Sequence, residues 1–187
     1  MMRQDRIALQ FCGFGGQGIV LLSVVLGTAA VTKAGFYAVQ TQSYGSEARG
    51  GECQAELILS KSPIRAPLTD RVDILVAMSQ LALDRYLGRL RPGGILIIDP
   101  ELVQVPDRSD IRIIQVPATE IATQIGGRIA ANMVMLGFLQ GVMGLVSEED
   151  LFDTIRDQVP PRYLDLNLEA TRRGIALASP HQFQGEW

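Results

Sequence analysis

Apolar and polar positions change period several times along the chain, and each change marks an element. Residues 6–12 (RIALQFC) form a short apolar run that reads as a buried strand, and 13–18 (GFGGQG) form a glycine-rich turn. Residues 19–34 are apolar on nearly every side, which predicts a helix buried between a sheet and another layer. Residues 36–41 read as a second strand. Strand, glycine turn, helix, strand is the βαβ order of an open parallel sheet. After a polar loop, Cys53, Ala55, Leu57 and Leu59 alternate with Gln54, Glu56 and Ile58 over residues 52–60. A period near two predicts a strand with one drier face, antiparallel at a sheet edge.

Further along, residues 73–77 (DILVA) read as another buried strand and 80–90 as a helix that Pro92-Gly93-Gly94 stops. Residues 95–98 and 111–116 read as the last strands, and helices are expected over 118–125, 131–145, 148–158 and 162–177. Ser147 is the expected N-cap of the third of these, with Glu148, Glu149 and Asp150 in its first turn favouring the helix dipole. The expected class is α/β: an open, mostly parallel, Rossmann-like sheet with a mixed edge, flanked by helices, and with a helical C-terminal third. Residues 1–178 are expected to form one domain and 179–187 a flexible tail.

Composition narrows the functions. The 187 residues carry a net charge of −3 with both signs interspersed, which argues against a broad footprint for nucleic acid or an anionic membrane. Residues 1–6 are polar and 7–12 are too short for a signal core. The longest apolar stretch, 19–31, is too short to cross a bilayer of roughly 30 Å. A soluble, cytoplasmic protein is expected. Two cysteines far apart, Cys12 and Cys53, do not supply the four thiolates of an iron–sulfur cluster. Structural zinc is equally unsupported. The one histidine, His181, lies in the polar tail, which leaves none for an internal nucleophile–histidine pair.

Gly13, Gly15 and Gly18 satisfy GxGxxG between a strand and a helix. Missing Cβ atoms let backbone approach a phosphate, and helix N–H groups at the positive end of the dipole face it. A tight turn that merely packs the helix on the sheet uses the same pattern, and both readings stand. NAD is disfavoured. A ribose-reading acid belongs about 20 residues on, where Ala38-Val39-Gln40-Thr41-Gln42 has none and Glu47 lies beyond the strand. No Gly-Lys-Ser/Thr follows the loop, so it is not a Walker loop. What survives is an anion site for another class of phosphate-bearing ligand.

GFGGQG opening an apolar helix, followed by QSYGSEARGG before a strand, resembles the gamma subunit of 2-oxoacid:ferredoxin oxidoreductases. The resemblance continues through SKSPIRAP at 60–67, Asp73-Ile74-Leu75, Asn132 with Leu136-Gly137, and Asn167, Ala170 and Gly174. The wording around Tyr44 is most similar to the 2-oxoglutarate and branched-chain 2-oxoacid types. The family oxidatively decarboxylates a 2-oxoacid to an acyl-CoA and passes electrons to ferredoxin. The resemblance implies alpha and beta partner subunits, with or without delta, that hold the thiamine diphosphate and iron–sulfur clusters. It also implies that this chain helps bind coenzyme A, has no catalytic residue, holds no metal and is inactive when isolated.

By the same resemblance, Gly15, Gly16, Gln17 and Gly18 would cradle the coenzyme A phosphates, Gln17 adding its side-chain amide. Arg49 would grip phosphate oxygens bidentately. Gly50 and Gly51 would let the chain pass close, and Arg128 is a further cation. Asn132 and Asn167 would hydrogen-bond adenine or pantetheine. Alternatives remain for each: Arg49 pairing with Glu47 or a partner subunit, Tyr44 packing on a partner, and both asparagines satisfying backbone groups. Cys12 is either a reactive thiol or a small buried hydrophobe. Arg65, between prolines, reads as solvated. The polar Glu52-Cys53-Gln54 departs from the small residues of the family. A stand-alone nucleotide-binding module or sensor is the competing class.

Overall fold

The computed structural model describes residues 6–44 and 51–178. Six strands, β1 (Arg6–Phe14), β2 (Tyr37–Tyr44), β3 (Glu52–Ser60), β4 (Val72–Ala77), β5 (Leu90–Ile98) and β6 (Arg112–Gln115), form one sheet in the order β2-β3-β1-β4-β5-β6. The helices are α1 (Ile19–Ala34), α2 (Gln80–Tyr86), α3 (Ala118–Gln124), α4 (Ala131–Met143), α5 (Glu148–Gln158) and α6 (Pro161–Leu177). The α/β class, the mixed sheet and the helical C-terminal third are as expected.

Alternation along the strands builds two cores. Leu9 and Phe11 of β1 and Ala55, Leu57 and Leu59 of β3 face one way, under Leu22 and Leu26 of α1 and Met133 and Leu136 of α4. Ala8, Cys12, Ile58, Leu75 and Leu96 face the other way, toward Ala82 and Leu83 of α2. The all-round apolar α1 is sandwiched as expected, with the sheet below and α4 and α5 above. Ser147 caps α5, its hydroxyl accepting the Asp150 N–H at 3.1 Å.

Three expectations change. β3 is antiparallel but interior, paired with β1 on one side and β2 on the other, so β2 is the edge. The polar residues of β3 explain how it can lie inside. Glu52 pairs with Arg85 at 2.5 Å, Glu56 pairs with Arg89, and Gln54 accepts from Gln10 at 2.6 Å. Each carboxylate thus faces a guanidinium instead of apolar side chains. Second, α2 stops at Tyr86 and a 3₁₀ turn (Leu87–Arg89) leads straight into β5. Third, Pro92-Gly93-Gly94 therefore lies within a strand. Gly93 has φ +73°, its N–H donates to the Asp110 carbonyl at 2.7 Å, and the pairing with β4 shifts register there.

The α4–α6 crossing is set by glycine. A Cβ at Gly137 would land on the Thr171 carbonyl, and one at Gly174 on the Val134 carbonyl. These two residues of the resemblance therefore have a packing reason: they let two backbones touch.

Candidate functional site

β1 pairs in parallel with β4 on one side, while α1 leads to β2 on the far side of β3. α1 and α2 cover opposite faces of the sheet. The carboxyl ends of β1 and β4 are therefore where the chain parts in two directions, the place where open α/β sheets take ligands. The glycine loop sits there.

Its geometry requires glycine twice. Gly16 and Gly18 have φ +95° and +73°, a region disfavoured for side chains with a Cβ. Gly18 is the N-cap of α1, with no side-chain cap and no acid in the first turn, so the first N–H groups of this 16-residue helix lack an internal anion. The Gly15 N–H donates to the Gly51 carbonyl at 2.9 Å, which ties the loop to the entry of β3.

Gln17 and Asn132 hold this loop from two sides. The Gln17 Oε1 accepts the Phe14 N–H at 2.6 Å, and its Nε2 donates to the Met78 carbonyl at 2.9 Å. One amide thus ties the end of β1 to the end of β4 across the parting of the sheet. Asn132, 3% exposed, donates from Nδ2 to the Gly18 carbonyl at 3.1 Å. A Cβ at Gly18 would collide with that amide.

A cavity of about 270 Å³ opens beside the loop, with Gly16, Gln17, Met78, Thr119 and Arg128 among its walls. Arg128 follows Gly127, where a Cβ would strike Leu166, and its guanidinium meets Glu101 at 2.8 Å with both side chains substantially exposed. Opposite, Asp99 is fully buried. It accepts the Thr119 N–H and hydroxyl at 2.7 and 2.6 Å and the Glu101 N–H at 3.0 Å. Three donors offset the burial of this carboxylate and fix the cavity wall between β5 and α3.

Of the residues expected at the site, Gly15, Gly16, Gln17, Gly18, Arg128 and Asn132 converge on this crevice. Asn167 does not line it. Its amide donates to the Tyr163 carbonyl one turn back at 2.7 Å, within α6. Arg49 and Gly50, with Glu47, lie outside the described residues, as does residue 181. Sequence reasoning missed Met78, Thr119, Asp99 and Glu101. Only Asp99-Pro100, an acid ending an apolar strand, carried a signal.

Cys12 is fully buried, and its thiol is pushed far above its usual pKa by burial first and by the Glu52 charge second. It behaves as a small hydrophobe and offers no thiolate. Among the described residues, no group of three or more His, Cys, Asp or Glu is placed to hold a metal ion. Nor is any helix among them long and apolar enough to cross a membrane.

Residues 8–177 match the family described as pyruvate ferredoxin/flavodoxin oxidoreductase. The chain is 43% identical over 183 residues to 2-oxoglutarate synthase subunit KorC of Methanothermobacter thermautotrophicus, covering 94% of this chain and 97% of that protein. Among solved structures, it is similar to the gamma subunit of keto/oxoacid ferredoxin oxidoreductase from Geobacter sulfurreducens. That match has a TM-score of 0.80 and 34% identity, over 92% of this chain and 98% of the other. At 24% identity, the fold is also that of 2-oxoglutarate:ferredoxin oxidoreductase from Magnetococcus marinus, solved with 2-oxoglutarate, coenzyme A and succinyl-CoA bound. There the TM-score is 0.84, over 94% of this chain and 31% of the other.

Proposed function

The chain belongs to the pyruvate ferredoxin/flavodoxin oxidoreductase family, as a gamma subunit of a 2-oxoacid:ferredoxin oxidoreductase, and from that membership we propose that it holds part of coenzyme A at the crevice beside the glycine loop. The observation that carries this reading is the uncapped start of α1 behind two positive-φ glycines, opening on a cavity with a cation at its rim. Backbone N–H groups at a helix start suit a phosphate. The strand after α1 carries no acid for a ribose hydroxyl, which favours coenzyme A over NAD. A cavity of about 270 Å³ suits only a portion of so long a ligand. The remainder would extend toward another subunit.

In this reading coenzyme A supplies the thiol that accepts the acyl group. This chain binds and orients it and transfers no proton or electron. Gly16 and Gln17 place the backbone donors, Asn132 holds the loop from below, and Arg128 meets a phosphate once Glu101 releases it. By the resemblance, Arg49 would add a bidentate grip on a phosphate. The thiamine diphosphate and iron–sulfur clusters belong to alpha and beta partner subunits, and ferredoxin takes the electrons from the assembly. The two cysteines here, Cys12 and Cys53, are both buried and far short of a cluster's ligand set. The 2-oxoacid is 2-oxoglutarate, supported by the 43% identity to KorC.

The test is the apparent affinity of the assembled enzyme for coenzyme A. Arg128→Gln and Arg49→Ala should each raise KM for coenzyme A several-fold and leave KM for the 2-oxoacid unchanged. Unchanged coenzyme A kinetics in both variants would remove the phosphate site from this chain. Loss of Arg49 alone without effect would remove only that grip.

A further inference from the structure

A second concave feature of the described residues lies away from the glycine loop. It is a cleft of about 600 Å³ at the other end of the sheet, where the parallel strands begin. β1 spans Arg6 to Phe14, so this end lies roughly 26 Å from the glycine loop. Its outer wall is SKSPIRAP, the segment that the resemblance includes and the coenzyme A site does not use.

Four arginines line the cleft, Arg6 from β1, Arg65 and Arg71 from the β3–β4 connection and Arg91 from β5, against one lining acid, Asp73. In a chain of net charge −3 this is a local concentration of positive charge. Asp73 accounts for one arginine only. Its Oδ1 accepts from Arg91 Nε at 2.5 Å, while its Oδ2 accepts the Ala8 N–H at 2.7 Å and pins the floor. Arg6 makes a long contact of 3.4 Å with the Leu68 carbonyl. Arg65 and Arg71 are exposed and form no ion pair with another described residue.

The surroundings distinguish a protein partner from a small ligand. A small ligand is usually enclosed, whereas this cleft is open along one side. Leu68 beside it is 76% exposed, and Tyr37, paired in register with Ser60 of the wall, is 49% exposed. Arginine, an aromatic ring and a bare aliphatic side chain on one face are the composition of a protein interface. The family works as a multi-subunit assembly, so such a face has a partner to meet.

We infer that this cleft docks an acidic segment of another subunit of the enzyme, with carboxylates on Arg65 and Arg71 and apolar contact on Leu68. The site is independent of the coenzyme A crevice and stands or falls separately from it.

The experiment uses the chain co-produced with the other subunits of its enzyme. The variants are the double reversal Arg65→Glu/Arg71→Glu, the conservative Arg65→Lys/Arg71→Lys, and Leu68→Ala. Assembly is measured by titrating the tagged chain against the remaining subunits at low and high salt. The reversal should weaken assembly about tenfold or more at low salt, Leu68→Ala should weaken it at both salts, and the lysine pair should retain most of it. Assembly unchanged by both the reversal and Leu68→Ala overturns the inference. A second arm titrates the isolated chain with citrate, followed by amide chemical shifts. Saturable citrate binding that the reversal abolishes, with assembly unaffected, also overturns it and makes the cleft a small-anion site.

Discussion

The two ends of the sheet present positive charge in different ways. At the carboxyl end, donors are backbone N–H groups set by Gly16 and Gly18, and the cation at the rim, Arg128, already has Glu101. At the amino end, the donors are flexible guanidinium groups on exposed or half-buried side chains, of which only Arg91 has a carboxylate among the described residues. A fixed nest of backbone dipoles costs little reorganisation and suits a phosphate of defined shape. Long side chains adapt, depend on salt and suit a broad protein surface. The first end is therefore sensitive to single-atom changes, and the second to charge.

That contrast is sharpest in stability. Gly18→Val puts a branched side chain at positive φ and against the Asn132 amide, and should cost about 3 kcal/mol or more in denaturant unfolding. The double reversal at Arg65 and Arg71 should change stability by less than about 0.5 kcal/mol. Comparable losses in both variants would break the comparison. Asp73 is the exception at the amino end, because it serves backbone and side chain together. Asp73→Ala should cost about 2 kcal/mol by the same measurement, and Asp73→Asn less, since an amide oxygen still accepts the Ala8 N–H.

Gln17→Ala removes the tie between the ends of β1 and β4 and leaves the Phe14 N–H without its acceptor. A loss of about 1–2 kcal/mol is expected, together with weaker coenzyme A binding in calorimetry. Unchanged affinity would mean that the loop keeps its shape without that amide. The smallest effect belongs to Glu101→Gln, which frees Arg128. Affinity for coenzyme A should rise by up to about fivefold, the scale of an exposed ion pair of ~1 kcal/mol, and the gain should fade at high salt. No gain at low salt would show that Glu101 does not compete with the ligand.

Much of the architecture was readable in advance. The bounds of α1, α5 and β3 coincide with the expected ones, because periodicity, glycine punctuation and a serine cap act within a few residues. The glycine loop was equally legible, and the structure adds why Gly16 and Gly18 must be glycine. The errors fell where distant residues decide. An alternating strand reads as an edge, and only the pairing of Glu52 and Glu56 with Arg85 and Arg89, 33 residues on, makes it interior. Pro92-Gly93-Gly94 reads as a stop, yet the shifted register with β4 accommodates it inside β5.

The candidate site divides the same way. A ligand-facing loop was visible from residues 13–18, but the partners of its amides were not. Gln17 meets Met78 across 61 residues and Asn132 meets Gly18 across 114. The arginine cleft draws on Arg6, Arg65, Arg71 and Arg91, which no short motif links.

By itself, the sequence determined most of the helices and strands, which faces are apolar, the glycine turn after the first strand, and the family. These follow from local sterics and from the period of apolar side chains. Tertiary structure alone decided that β3 lies between β1 and β2, that one glutamine bridges the parting of the sheet, and that four scattered arginines share a cleft. Such outcomes depend on which distant groups must satisfy one another once water is excluded, and that is set only when the whole sheet is assembled.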